Sequence, residues 1–184
     1  MRRRPKSALG GWLYITGSTH RRLPVFARSR ACEIFLENLA FYRKKYGFDV
    51  MAYALLPDHY HLILALPAGL SLADLLRDFK SAVGRQIVDV FRQGPPSRLL
   101  ERMRLLSSPQ RRKDARFKVL QADNYIEQIT SEKFFRQKLD YIHANPVRHR
   151  LVAREVDYPY SSARWYDEGG SKERTQWQGP LGST

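Results

Sequence analysis

The alternation of apolar and polar residues divides the first part of the chain into short strands and a helix. Residues 12–19 are rich in aromatic and β-branched side chains, which predicts a first strand. Residues 31–46 carry apolar side chains at helical spacing and are followed by Gly47, a residue type that commonly ends helices. Two further strands are predicted over residues 49–56 and 61–66.

A second amphipathic helix is predicted over residues 71–91, where Ser71 is a candidate N-cap. The pattern then breaks over residues 92–116, which contain Gly–Pro and Ser–Pro segments and many basic side chains. Such composition predicts an exposed basic insertion or loop.

Regular structure is predicted again in the last third of the chain. A possible strand covers residues 125–129, and a third helix begins at Ser131. Asn145 and Pro146 are expected to end this helix, because the residue before a proline is pushed out of the helical conformation.

The order strand, helix, strand, strand, helix, strand is that of the split βαβ arrangement. It predicts an α+β fold, a ferredoxin-like sandwich with a mostly antiparallel central sheet and helices on one face. We predict one domain over residues 1–166, which includes the insertion, and a flexible C-terminal tail over residues 167–184.

Charge is the first indication of function. The chain has 184 residues, with 32 Lys and Arg against 18 Asp and Glu, and a formal net charge of +14. This excess favours a polyanionic partner, nucleic acid rather than an anionic membrane surface. The single cysteine, Cys32, excludes an internal disulfide and a cysteine-based zinc site. Apolar runs are too short to cross a bilayer and no signal peptide is evident, so we expect a cytoplasmic protein without a membrane partner.

Two histidines lie at alternate positions in the third predicted strand. Side chains two apart in a strand point to the same face, so His59 and His61 project together and Tyr60 points away. Two imidazoles on one face can chelate a divalent cation. A structural or surface histidine pair is the alternative that the spacing leaves open.

A tyrosine and an asparagine lie four residues apart in the third helix. Tyr141 and Asn145 would therefore face one site. A carboxamide oxygen is a suitable third ligand for Mg²⁺ or Mn²⁺ beside two imidazoles. A core tyrosine and a helix-capping asparagine would fit the spacing equally well.

Together the two segments resemble a known family. Pro-Asp-His-Tyr-His-Leu at residues 57–62 and Asp-Tyr-Ile-His-Ala-Asn-Pro-Val-Arg at residues 140–148 are similar to motifs of the single-tyrosine HUH transposases. The REP-associated tyrosine transposases are the most similar branch. The resemblance extends to Trp12–Thr16 and to residues 158–166, and so covers roughly residues 10–166.

The resemblance implies an HUH-type catalytic domain and a role for each matching residue. His59 and His61 would bind the divalent metal, Mg²⁺ or Mn²⁺, with Asn145 as third ligand, and Tyr141 would be the nucleophile. The implied reaction is nicking and rejoining of single-stranded DNA at hairpin-associated, REP-like sites through a 5′-phosphotyrosine. The REP-associated type is expected to work as a monomer.

Several basic residues are candidate DNA contacts. Arginines could hold phosphates, and Lys138 could also help to deprotonate Tyr141. His20 and His149 lie among arginines and are expected at the surface or facing DNA, while His143 is expected to pack. The candidate contacts are Arg21, Arg22, Lys138, Arg148 and Arg150.

Three alternatives remain open at the level of sequence. Tyr125 competes with Tyr141 as nucleophile. A basic module that binds nucleic acid without catalysis would need none of His59, His61 and Tyr141. A nuclease that uses water would share the metal site but leave no covalent adduct.

Overall fold

A four-stranded antiparallel sheet forms the centre of the molecule. The computed structural model describes residues 11–95, 97–110 and 117–169. The strands are β1 (Gly11–Thr19), β2 (Asp49–Leu56), β3 (His59–Leu66) and β4 (Leu120–Ile129). Their order across the sheet is β2-β3-β1-β4, so β1 pairs with both β3 and β4. This confirms the predicted α+β fold and the split βαβ strand order.

Five helices flank the sheet within the described ranges. Two of the predicted helix signals are confirmed: the Gly47 amide, in the left-handed conformation at φ 67°, donates to Arg43, and the Ser71 hydroxyl accepts from the Asp74 amide. None of the described helices is long and apolar enough to cross a membrane. The helices are α1 (Ser29–Tyr46), α2 (Leu72–Gln93), α3 (Arg98–Leu106), α4 (Glu132–Arg148) and α5 (Ala163–Asp167).

The helices lie on both faces of the sheet, so the prediction that they cover one face is wrong. One apolar cluster joins α1 and α2 to side chains such as Tyr60 and Leu62. A second cluster, on the opposite face, joins α4 to Met51 and Ile63. In strands β2 and β3 almost every residue is buried, on both faces of the sheet. Strands of this kind need other elements to cover both faces.

Helix α4 continues through Pro146, which corrects the expectation that Asn145 and Pro146 end it. A proline removes its own N–H bond to the preceding turn and crowds the carbonyl four residues before it, but it leaves the hydrogen bonds of the following residues possible. The amide of His149 still donates to the Asn145 carbonyl at 2.9 Å, and Asn145 and Pro146 are both buried. Packing thus holds the last turn, and the helix ends at Arg148.

The basic segment 92–116 is not simply a loop. It contains helix α3, which is anchored by the fully buried Met103. At the end of this helix the Ser107 hydroxyl donates a hydrogen bond to the Met103 carbonyl at 2.7 Å. Pro96 and residues 111–116 lie outside the described residues, as do residues 170–184 of the predicted tail.

Strand β1 passes very close to Tyr60. The Tyr60 ring is fully buried beside Gly17, and its hydroxyl donates to the Asn124 side chain at 3.0 Å. A methyl group on Gly17 would overlap the Tyr60 ring and the Asn124 amide oxygen. Glycine is therefore required where β1 lies between β3 and β4.

Candidate active site

His59 and His61 lie side by side on one face of β3, as the alternation predicts. Their ring centroids are 5.0 Å apart and the planes are perpendicular. Both side chains are buried. Tyr60 points to the opposite face, where it packs on Phe35.

The Nδ1 atom of each histidine is held by a neighbouring side chain. His61 Nδ1 lies 2.9 Å from Thr16 Oγ1 and 3.0 Å from the Tyr14 hydroxyl. His59 Nδ1 lies 2.6 Å from a carboxylate oxygen of Asp58. Partners of this kind fix the orientation of an imidazole and determine which nitrogen stays free for a metal.

The Nε2 atom of His61 is buried and has no hydrogen-bond partner among the described residues. Thr16 Oγ1 donates to the Tyr14 hydroxyl at 2.9 Å. A proton on His61 Nδ1 would be donated to these hydroxyl oxygens and would leave the lone pair on Nε2. An unpaired buried nitrogen costs free energy unless a ligand satisfies it, which is the arrangement expected of a metal ligand.

Burial keeps both imidazoles neutral at physiological pH. It lowers the pKa of His61 to about 3, and the neighbouring His59 and His149 contribute to the shift. Burial also lowers the pKa of His59, although Asp58 opposes the effect. A neutral imidazole is the form that binds a metal ion.

Tyr141 lies beside His61 at the solvent edge. Its ring centroid is 5.5 Å from that of His61, and the side chain is 39% exposed. The guanidinium of Arg148, one of the predicted DNA contacts, lies 5.3 Å from the centre of the Tyr141 ring. The structure thus brings His59, His61 and Tyr141 together although they come from different elements.

Asn145 is buried one turn after Tyr141 on helix α4. Its side-chain nitrogen donates to the Tyr141 carbonyl at 2.6 Å. The carboxamide oxygen is therefore the atom of this side chain that could bind a cation. Among the described residues no cluster of three His, Cys, Asp or Glu side chains has metal-site geometry.

The other predicted DNA contacts have different surroundings. Lys138 pairs with Glu127 at 2.8 Å and lies 4.5 Å above the centre of the Tyr14 ring, so its charge is already compensated. Arg22 pairs with Asp58 at 3.0 Å and thereby supports the carboxylate that holds His59. Arg21, Arg22 and Arg150 adopt left-handed backbone conformations, with φ between 55° and 57°.

Three residues of the site were not singled out from the sequence. Tyr14 and Thr16 on β1 hold His61, and their i, i+2 spacing is the signal that could have indicated a shared face. His149, expected only at the surface or near DNA, is exposed, but its ring lies 5.3 Å from that of His59. His143 packs as expected, with its Nε2 2.9 Å from the Ser162 hydroxyl.

Comparison with known sequences finds one matching family model and a similar curated protein. Residues 14–97 match the family model described as IS200-like transposase; the match includes both histidines, and Tyr141 lies outside it. A Haemophilus influenzae protein named as a candidate REP-associated tyrosine transposase is 30% identical over 118 residues. This alignment covers 64% of the chain and 60% of the relative, so the chain spans less than two thirds of that protein.

One solved structure shares the fold, and a second aligns more weakly. The structure of a REP-associated tyrosine transposase bound to a REP hairpin aligns with a TM-score of 0.67 at 19% identity, covering 100% of this chain and 98% of that one. A candidate transposase of Deinococcus radiodurans R1 aligns with a TM-score of 0.49 at 16% identity, over 77% and 95% of the two chains. The resemblance predicted from the motifs is confirmed: residues 14–97 match the model of the IS200-like transposases, and the fold is that of a REP-associated tyrosine transposase.

Proposed function

We propose that this chain nicks and rejoins single-stranded DNA with Tyr141 as the nucleophile. The observation that carries the proposal is the position of Tyr141, 5.5 Å from a histidine whose buried Nε2 has no partner among the described residues. A passive binding module has no use for such a pair. The match of residues 14–97 to a transposase family model supports the same class of reaction.

The residues present suit a divalent cation. His59 and His61 offer Nε2 atoms fixed through Nδ1, and Asn145 offers a carboxamide oxygen, so these three would hold Mg²⁺ or Mn²⁺. When bound, the ion would polarise the scissile phosphate and offset the negative charge that develops on it.

The protein contributes the nucleophile and its orientation. Tyr141 Oη would attack phosphorus, and the bond from phosphorus to the 3′-oxygen would break as the new bond forms. The phenol proton leaves Tyr141, and the departing 3′-oxygen takes up a proton. The products are a 5′-phosphotyrosine and a free 3′-OH, which can later attack phosphorus to release Tyr141 and reseal the strand.

The DNA partner is proposed to be a hairpin with single-stranded flanks. The +14 charge favours a polyanion, and the structural relative with the same fold binds a REP hairpin. Arg21, Arg22 and Arg150 are placed on turns of the surface where phosphates could reach them. We further propose that one chain carries a complete site, because all three candidate ligands and Tyr141 come from the same molecule.

The decisive experiment is a denaturing gel of the protein with labelled hairpin DNA from beside its own gene, in Mn²⁺ or in EDTA. We expect an SDS-resistant adduct that requires the metal and disappears in Tyr141→Phe. Tyr125→Phe is the matched control, because it removes the hydroxyl of another exposed tyrosine near Tyr14.

Each other outcome selects an alternative. An adduct lost in Tyr125→Phe and retained in Tyr141→Phe would make Tyr125 the nucleophile. Cleavage without an adduct would indicate a nuclease that uses water. Binding without cleavage across several hairpins would indicate a binding module and would overturn the proposed function.

A further inference from the structure

Tyr125 stands in line with His61 across the sheet. In the strand register His61 on β3 is directly opposite Thr16 on β1, and Thr16 is directly opposite Tyr125 on β4. Residues directly opposite each other point to the same face of a sheet. Since neighbouring strands are about 5 Å apart, Tyr125 lies roughly 10 Å from His61 on the same face.

The Tyr125 side chain is both exposed and fixed in orientation. It is 50% exposed and lies on β4, an edge strand of the sheet. Its hydroxyl donates to Glu127 at 3.1 Å, and Glu127 is held by Lys138 of α4 at 2.8 Å. The edge of the ring meets Tyr14, with 6.3 Å between the centroids.

Tyr14 connects this ring to the proposed nucleophile. The Tyr14 ring lies edge-to-face with Tyr125 and with Tyr141, at 6.3 Å in both cases. Tyr125 and Tyr141 therefore border the same ring, and a strand of DNA with its phosphate at Tyr141 could extend towards Tyr125.

We propose that Tyr125 is a stacking residue for an unpaired base next to the scissile phosphate. The inference rests on the proposed function and adds to it the contact that holds the single strand. An aromatic face accepts any base, so this contact would contribute affinity without selecting a sequence. Tyr125 lies two strands away from His61, whereas Tyr141 lies beside it, which favours stacking over nucleophilic attack for Tyr125.

The test measures binding in EDTA, so that it does not depend on cleavage. The probes are a fluorescein-labelled hairpin from beside the gene with a single-stranded flank, the same hairpin without the flank, and flanked hairpins with one abasic site at successive positions. The variants are Tyr125→Ala and Tyr125→Phe. Phe41→Ala is the control, because Phe41 is an even more exposed aromatic residue, at 60%, on helix α1.

We expect Tyr125→Ala to weaken binding of the flanked hairpin by about 5- to 150-fold, the range for one stacked base. Tyr125→Phe keeps the ring and should stay within about threefold of the wild type, as should Phe41→Ala. The hairpin without a flank should bind all four proteins alike. At one flank position, an abasic site should weaken binding by the wild type as much as Tyr125→Ala does. The same abasic site should cause no further loss of affinity in the Tyr125→Ala variant.

Equal binding of the flanked hairpin by wild type and Tyr125→Ala would overturn the stacking proposal. The proposal would also be overturned if, at every flank position, the loss of affinity from the abasic site and the loss from Tyr125→Ala were independent, so that the two factors multiply. If Tyr125→Ala weakens binding of the flanked hairpin but the wild type does not nick it in Mn²⁺, only the proposed reaction is contradicted. If the wild type nicks the hairpin and Tyr125→Ala does not change its binding affinity, only the stacking contact is contradicted.

Discussion

The hydroxyl of Tyr14 lies 3.0 Å from Nδ1 of His61, although the two residues are 47 positions apart in the chain. Together with Thr16 it fixes the ring whose Nε2 faces the proposed metal. Tyr14→Phe removes this hydroxyl and keeps the buried ring. We expect Mn²⁺ affinity, measured by calorimetry, to fall by about 10-fold or more, as is typical when a partner of a liganding histidine is lost.

The control for Tyr14→Phe is Tyr166→Phe. Tyr166 is also buried in the cluster beneath α4, and its hydroxyl donates to the Met51 carbonyl at 2.6 Å. Its loss should lower the free energy of unfolding without changing Mn²⁺ affinity. If both variants bind Mn²⁺ like the wild type, Tyr14 does not position His61.

Arg148 and Lys138 are both near the proposed nucleophile, but only Arg148 lies over the Tyr141 ring. A guanidinium over an aromatic face contributes about 0.5–1 kcal/mol at an exposed site. The positive charge favours the phenolate over the neutral phenol, so Arg148→Ala should slow adduct formation by about 2- to 5-fold, with unchanged Mn²⁺ affinity. The measurement is single-turnover cleavage at saturating DNA, which separates rate from binding.

Lys138→Ala tests the prediction that this lysine helps to deprotonate Tyr141. Because Lys138 is paired with Glu127, we expect its removal to act mainly through DNA affinity, by freeing the Glu127–Tyr125 pair. Cleavage slowed at saturating DNA with unchanged affinity would instead support the direct role. Glu127→Gln, which weakens the same ion pair from its other side, is the matched comparison.

Two glycines should respond to alanine in opposite directions. In Gly17→Ala the added methyl group overlaps Tyr60, so we expect the free energy of unfolding to fall by about 1–3 kcal/mol. In Gly84→Ala, within α2, the methyl group meets Val119 at an ordinary 3.8 Å, and a gain of about 0.5–1 kcal/mol is expected. Urea denaturation of both variants measures this, and a stabilised Gly17→Ala would contradict the packing described for β1.

Lys80 should make stability depend on pH in the alkaline range. Its ammonium donates to the Gln121 and Ala122 carbonyls at 2.8 Å, and burial lowers its pKa to about 8. Between about pH 8 and the ordinary lysine value near 10.4, the unfolded chain binds more protons than the folded one. The free energy of unfolding should therefore rise with pH in this window.

The Lys80→Met variant isolates this effect. Between about pH 7 and about pH 9.5, the free energy of unfolding of the wild type should rise by about 1 kcal/mol relative to that of the variant. This figure is reduced for partial solvent screening. Urea denaturation at both values gives the difference. Parallel pH profiles of the two proteins would show that Lys80 has an ordinary pKa in the folded state.

The local pattern was sufficient where short-range chemistry decides the structure. Helix α1 ends at Gly47 and α2 begins after Ser71 because a left-handed glycine and a capping hydroxyl act within one turn. The shared face of His59 and His61 follows from strand geometry alone. These features were predicted without knowledge of the rest of the chain.

Long-range packing decided the features that were predicted wrongly or missed. Pro146 stays helical in a buried position, and α4 lies opposite α1 because β2 and β3 need cover on both faces. Tyr14 becomes part of the site only because β1 pairs with β3. The direction that the chain takes after α4, which brings His149 close to His59, likewise could not be predicted from the neighbouring residues.

The central position of β1 also bears on when activity can arise during synthesis. Strand β1 is made first of the four strands, yet its second neighbour, β4, ends at Ile129, and Tyr141 follows later still. Such distant pairings form slowly and only after the intervening chain is available. A growing or truncated chain that stops before α4 would hold both histidines without the nucleophile, so on the proposed mechanism a partly made protein could not cut the DNA around its ribosome.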